Sequence, residues 1–200
     1  MAYSDFSIED VIDKFELTLT NNSLFKQKIK KKLLIESDFL KFAITRAFKS
    51  PLNSEKARSE ALIYPVLMEV QENNSKNFLI HSGENLNIDK DSGLNGECDF
   101  IISRGIQIIS SPIISMVEAK KNDIDLGLGQ CIAQMVGANL FNQKKKNKIK
   151  IIYGAVTTGT EWKFLKLENN NITIDLDTYF IDRVDEILTI FKTIIDETTI

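Results

Sequence analysis

Apolar residues along the chain recur with two different periods. After Ser7, which is placed to cap a helix, Ile8, Val11, Ile12, Phe15 and Leu19 fall on one helical face and predict a first short helix. Ile29, Leu33, Leu34, Phe39 and Phe42 predict a second helix over about residues 25 to 48, stopped by Pro51. Asn53 or Ser54 is placed to cap a third that runs to about residue 71 and that Pro65 should kink or break. Beyond Gly83 the texture changes. Segments 77 to 81, 98 to 103 and 113 to 119 are short, rich in Ile, Val and Phe, and bounded by Gly, Pro, Ser and Asn, which predicts three neighbouring strands. A helical pattern follows over about residues 126 to 143, then strands at 149 to 156, 161 to 167 and 172 to 176. A last helix spans 182 to 196, where Val184, Ile187, Leu188, Phe191 and Ile195 keep register.

This order predicts an α/β domain with a mixed β-sheet flanked by helices. The fourth strand enters after a helical crossover and is expected parallel to a neighbour. At 200 residues, 43% hydrophobic and 26% charged, with no internal repeat or linker, the chain is read as one domain over residues 1 to 200. The N-terminus has no basic start followed by an apolar block, and the longest apolar stretch, residues 106 to 117, is short and interrupted. A cytoplasmic protein with no membrane association is expected. Cys98 and Cys131 have no metal-binding spacing, so reduced, buried thiols are expected.

A net charge of -3 argues against a protein that coats nucleic acid, but it leaves room for a local basic surface. Two lysine runs stand out: Lys26, Lys28, Lys30, Lys31 and Lys32, and then Lys144, Lys145, Lys146, Lys148 and Lys150. A solvated face or a helix C-terminus is the commoner use of such runs, and phosphate contact is the other.

Candidate chemistry lies at the strand ends. Alternation puts Asp99, Ile101 and Ser103 on one face of their strand, and Met116, Glu118 and Lys120 on one face of the next. Charged side chains ending apolar strands suggest a site, because burial penalises them unless they are paired or bind a metal. Two carboxylates can hold Mg²⁺ while leaving room for water and a phosphate oxygen, and a lysine two residues beyond the glutamate can reach that water or the phosphate.

Gly96-Glu97-Cys98-Asp99-Phe100-Ile101-Ile102 followed by Met116-Val117-Glu118-Ala119-Lys120 resembles the bipartite D...ExK signature of the PD-(D/E)XK nucleases, the restriction-endonuclease-like superfamily. The resemblance covers roughly residues 54 to 168, preceded by an N-terminal helical extension over residues 1 to 50. It implies a core of order αβββαβ and a Mg²⁺-dependent nuclease, with Mn²⁺ able to substitute. Glu60 stands where members carry an additional metal-side acid, beside Asp99 and Glu118. Gln130 and Gln134 stand where members carry a glutamine that orients the site. The segments Ala155-Val156-Thr157-Thr158-Gly159 and Glu161-Trp162-Lys163-Phe164 resemble the final hairpin of small bacterial members, notably cyanobacterial ones. The position before the aspartate, often proline, is Cys98 here.

Blander readings stand beside these. Glu118 and Lys120 can form a strand-end ion pair facing solvent. Gln130 and Gln134 share a side with Gly127, Gly137 and Ala138, a small-residue surface suited to close helix packing. His81 reads as a packed or edge residue, and Trp162 as a core anchor. The expected partner is DNA, with RNA as a variant, and cleavage of both strands by so small a domain would fit a homodimer. The alternative to a nuclease is a nucleic-acid- or partner-binding module that keeps the fold without cleaving.

Overall fold

The computed structural model describes residues 1–30, 33–74, 78–105 and 108–198. Lys31, Lys32, Asn77, Ile106 and Gln107, which entered the sequence reading, lie outside them.

An eight-stranded mixed sheet forms the centre, with helices on both faces. β2 (Phe78–Asn85), β3 (Glu97–Arg104) and β4 (Ile113–Ala119) run antiparallel in succession. The helix α6 (Asp125–Lys144) then crosses over and returns the chain to β5 (Ile151–Thr157), which lies parallel to β4 as a helical crossover requires. β6 (Glu161–Glu168) and β7 (Asn171–Asp175) add antiparallel strands, and β8 (Tyr179–Phe180) pairs with β6. The last helix, α7 (Val184–Glu197), packs back on the second face.

The N-terminal region departs from its expected helices. Ser7 caps α1 (Ile8–Phe15) through its hydroxyl, and Asp10 reciprocates, but the helix ends at Glu16 in the left-handed region. Leu19 falls instead in an edge strand, β1 (Thr18–Asn22), parallel to β7. The predicted second helix is two, α2 (Lys26–Ile29) and α3 (Asp38–Ala47), because Ser37 starts a new helix by accepting from the Leu40 amide. Leu40 and Ala47 face the core, whereas Phe39 and Phe42 project outward.

The third helix passes Pro65 without breaking. α4 (Glu55–Arg58), capped by Ser54, widens into a π turn over Ser59–Ile63 and continues as α5 (Tyr64–Glu72). The Tyr64 amide reaches five residues back to the Ser59 carbonyl, and Pro65, which has no N–H to give, follows at the start of the next stretch. α3 lies antiparallel to this helix: Ser37 donates from its amide and hydroxyl to the two Glu69 carboxylate oxygens, at 2.9 and 2.7 Å.

α6 is buried almost all round. One side lies on β4 and β5, and the N-terminal segment covers the other. A Cβ on Gly129 would stand 2.3 Å from the Phe6 carbonyl oxygen, so only glycine lets that segment lie against the helix. Trp162 is fully buried, edge-on to Phe191 and stacked near Phe164. Both cysteines are free and buried. No helix among the described residues is long and apolar enough to cross a membrane.

Candidate active site

The site is built where β3 and β4 end side by side. Phe100 pairs with Val117, so one step further the antiparallel register sets Asp99 opposite Glu118 on the face that α6 covers. β4 is buried along its whole length, and Glu118 is 1% exposed near its end. A carboxylate so placed requires partners, and the neighbouring elements supply them.

Lys120 donates its Nζ to Glu118 Oε1 and, at 3.2 Å, to Gln130 Oε1. Gln134 donates its Nε2 to Glu118 Oε2 at 2.7 Å. Gln130 and Gln134 are one turn apart on α6, so a single helical face holds both the ammonium and the carboxylate. The helix can lie close enough because residue 127 is glycine, where a Cβ would stand 2.6 Å from Val156 Cγ1 and 3.0 Å from Lys120 Cγ. Asp99 is fixed from the other side by the Ala119 amide, which donates to Oδ2 at 2.7 Å. The Lys120 amide bonds to the Thr157 carbonyl at 2.8 Å, tying the end of β4 to the end of β5.

Burial raises the Glu118 carboxyl to about 8, with the nearby Asp99 charge adding to it and Lys120 and Gln134 opposing. Burial likewise raises Asp99, against the Ala119 amide, Lys120 and a hydrogen bond from Glu118. For Lys120, burial works against the charge, but Glu118, then Glu55 and Asp99, outweigh it and hold its pKa above the usual value. The result is a permanently charged ammonium beside two carboxylates that share one neighbourhood.

The structure brings Asp99, Glu118, Lys120, Gln130 and Gln134 together. It does not bring Glu60 to them: that side chain is 69% exposed and faces Lys56 at 3.9 Å. The acid that α4 presents to the site is Glu55, whose pKa is raised by burial and which is felt by both Lys120 and Asp99. Sequence reasoning missed it by giving that role to Glu60. The signal was the buried line of that helix, since Glu55 stands two turns before the fully buried Leu62 and continues the face of Val66 and Val70. One turn on, Arg58 donates Nη1 to the Thr158 carbonyl at 3.0 Å and docks α4 on the β5–β6 hairpin. His81 lies on the edge strand β2 with Nε2 3.0 Å from Ser103 Oγ, apart from this group.

Among the described residues no three His, Cys, Asp or Glu side chains gather closely enough to hold a metal ion by themselves. What is present is a pair of hard oxygen donors, Asp99 and Glu118, with Gln134 Oε1 buried beside them and lacking a hydrogen-bond partner. Comparisons with protein-family models, with curated protein sequences and with solved structures return no match. What the site can do is therefore read from its own side chains.

Proposed function

We propose that this chain is a divalent-metal-dependent nuclease that hydrolyses phosphodiester bonds in DNA, a restriction-endonuclease-like member of the PD-(D/E)XK superfamily. The observation that carries the reading is the convergence of Asp99, Glu118 and Lys120 at adjacent strand ends, with Gln130 and Gln134 clamping the last two. The succession of α4–α5, β2, β3, β4, α6 and β5 supports it, being the αβββαβ order that the signature implies.

The donor set suits a hard cation such as Mg²⁺ or Mn²⁺. Burial first and the Asp99 charge second raise the Glu118 pKa, and a doubly charged ion held by Asp99 and Glu118 would favour the ionised carboxylates. Glu55 takes the supporting acidic role expected of Glu60. When bound, the ion supplies charge neutralisation for the phosphate and acidifies water. Lys120 stays protonated and presents its ammonium to the phosphate or to the attacking water. Gln130 fixes the direction of that ammonium, Gln134 holds Glu118, and the Ala119 amide holds Asp99. A homodimer would place two such sites for the two strands.

Asp99→Ala and Lys120→Ala test the assignment. Each is expected to lower metal-stimulated DNA cleavage at least about 100-fold while the circular dichroism spectrum is kept. Undiminished cleavage in both would remove the assignment.

One observation favours a second reading, a binding module without cleavage. Lys120 sits directly on the Glu118 oxygen that a metal would use. Salt-dependent DNA binding, together with no cleavage in any divalent metal and no heat of Mn²⁺ binding, would select that reading.

A further inference from the structure

One face of α3 is apolar and has nothing packed on it. Leu40, Ile44 and Ala47 turn toward the core, and the opposite face presents Phe39 and Phe42, 61% and 65% exposed. Ile35, just before the helix, and Phe48, at its end, are exposed as well, so four large apolar side chains reach solvent between residues 35 and 48. Apolar residues exposed singly are ordinary, but a group of them on one surface marks an interface.

The charges on that face indicate what covers it. Asp38, Phe42 and Arg46 are four residues apart and form one ridge along the helix, with Phe39 beside it and Lys49 just past its end. The ridge is acidic in its first turn, aromatic in the middle and basic in its last turn. Asp38 is fully exposed and no closer than 4.0 Å to Lys41, which also lies 3.8 Å from Glu36. Arg46 and Lys49 have no ion pair among the described residues.

Such an order of charges is complementary to its own reverse. A second α3 laid antiparallel, with the two Phe42 rings at the centre, sets each Asp38 against the Arg46 and Lys49 end of the other helix and opposes the two helix dipoles. A parallel arrangement would put like charge on like. A polyanion such as nucleic acid would meet Glu36 and Asp38 at one end of the ridge.

We propose that this face of α3 is the interface of a homodimer whose two-fold axis passes beside Phe42. Each copy offers the same patch, so the contact closes on itself. α3 with its flanks is a small interface against the roughly 800 Å² per partner of stable complexes, so the association depends on concentration. The pairing is independent of the nuclease reading.

Analytical ultracentrifugation of the metal-free protein tests it. A monomer–dimer equilibrium with a Kd of about 1–100 µM is expected. Phe42→Asp changes a solvent-facing position, so it should keep the circular dichroism spectrum and be monomeric throughout. Leu176→Asp, at an exposed apolar residue elsewhere, should leave the dimer unchanged. Asp38→Arg and Arg46→Asp each set like charges across the axis twice and should weaken the dimer at least tenfold. An equimolar mixture of those two variants should pair again, because each supplies the charge that the other lacks. A wild type that stays monomeric at about 200 µM, a dimer that survives Phe42→Asp, or a mixture that pairs no better than the separate variants would overturn the proposal and leave the cleavage experiments untouched.

Discussion

Glu118 is the residue on which burial and function pull in opposite directions. Its folded-state pKa, pushed up to about 8 by burial first and Asp99 second, lies above the unfolded value. Such a group costs nothing below about pH 4.5, where both states are protonated, and its penalty grows as pH rises toward 8. In EDTA, the melting temperature of Glu118→Gln minus that of the wild type should therefore become more positive from pH 5 to pH 8. A change of more than about 1 kcal/mol is expected, or roughly 2–4 °C for a chain of this size. A flat difference across that range would mean that Glu118 is ionised in the folded metal-free protein. The charged triad itself was legible in the sequence, because a strand has period two and Asp99, Glu118 and Lys120 fall on matching faces. Glu55 was not, because the third helix offers two lines of residues and only packing decides which faces the sheet.

At the scale of elements, the sequence shows segments whose burial is one-sided and hides those whose burial is not. β1 was invisible for that reason: Thr18 to Asn22 are all exposed and carry no alternation. The join between α2 and α3 was hidden by Phe39 and Phe42, which keep helical spacing while facing solvent. α6 was placed to within a residue or so at each end, and its glycines now have separate roles. Gly127 seats the helix on Val156 and Lys120, whereas Gly129 admits the Phe6–Ser7 backbone on the far side. Gly127→Ala should cost about 1–3 kcal/mol and lower cleavage, because the displaced atoms include the Lys120 stem. Gly129→Ala should cost at least as much, since backbone cannot yield as a side chain does, and should expose the N-terminal segment to proteolysis while sparing the site. Urea unfolding with limited proteolysis checks both, and equal effects on cleavage would contradict the division.

Across the whole molecule, the strand order β1-β7-β6-β5-β4-β3-β2 places β4 and β5 at the centre of the sheet, where helices cover both faces. Two carboxylates and an ammonium emerge at the ends of the inner strands, so the centre of the sheet holds the charged group, with Glu118 buried within it. The second lysine run has a plainer use. Lys144 and Lys145 close the last turn of α6, where the Lys144 ammonium donates to the Ile88 carbonyl at 3.0 Å and cations suit the helix dipole.

The measurement that bears most directly on the nuclease proposal is cleavage of supercoiled, linear and single-stranded DNA, and of an RNA strand, in Mg²⁺, Mn²⁺ or EDTA, by the wild type and Glu118→Ala. The proposal predicts cleavage of DNA that requires the metal and disappears in the variant. Cleavage that persists in EDTA, or that survives the loss of Glu118, would contradict it.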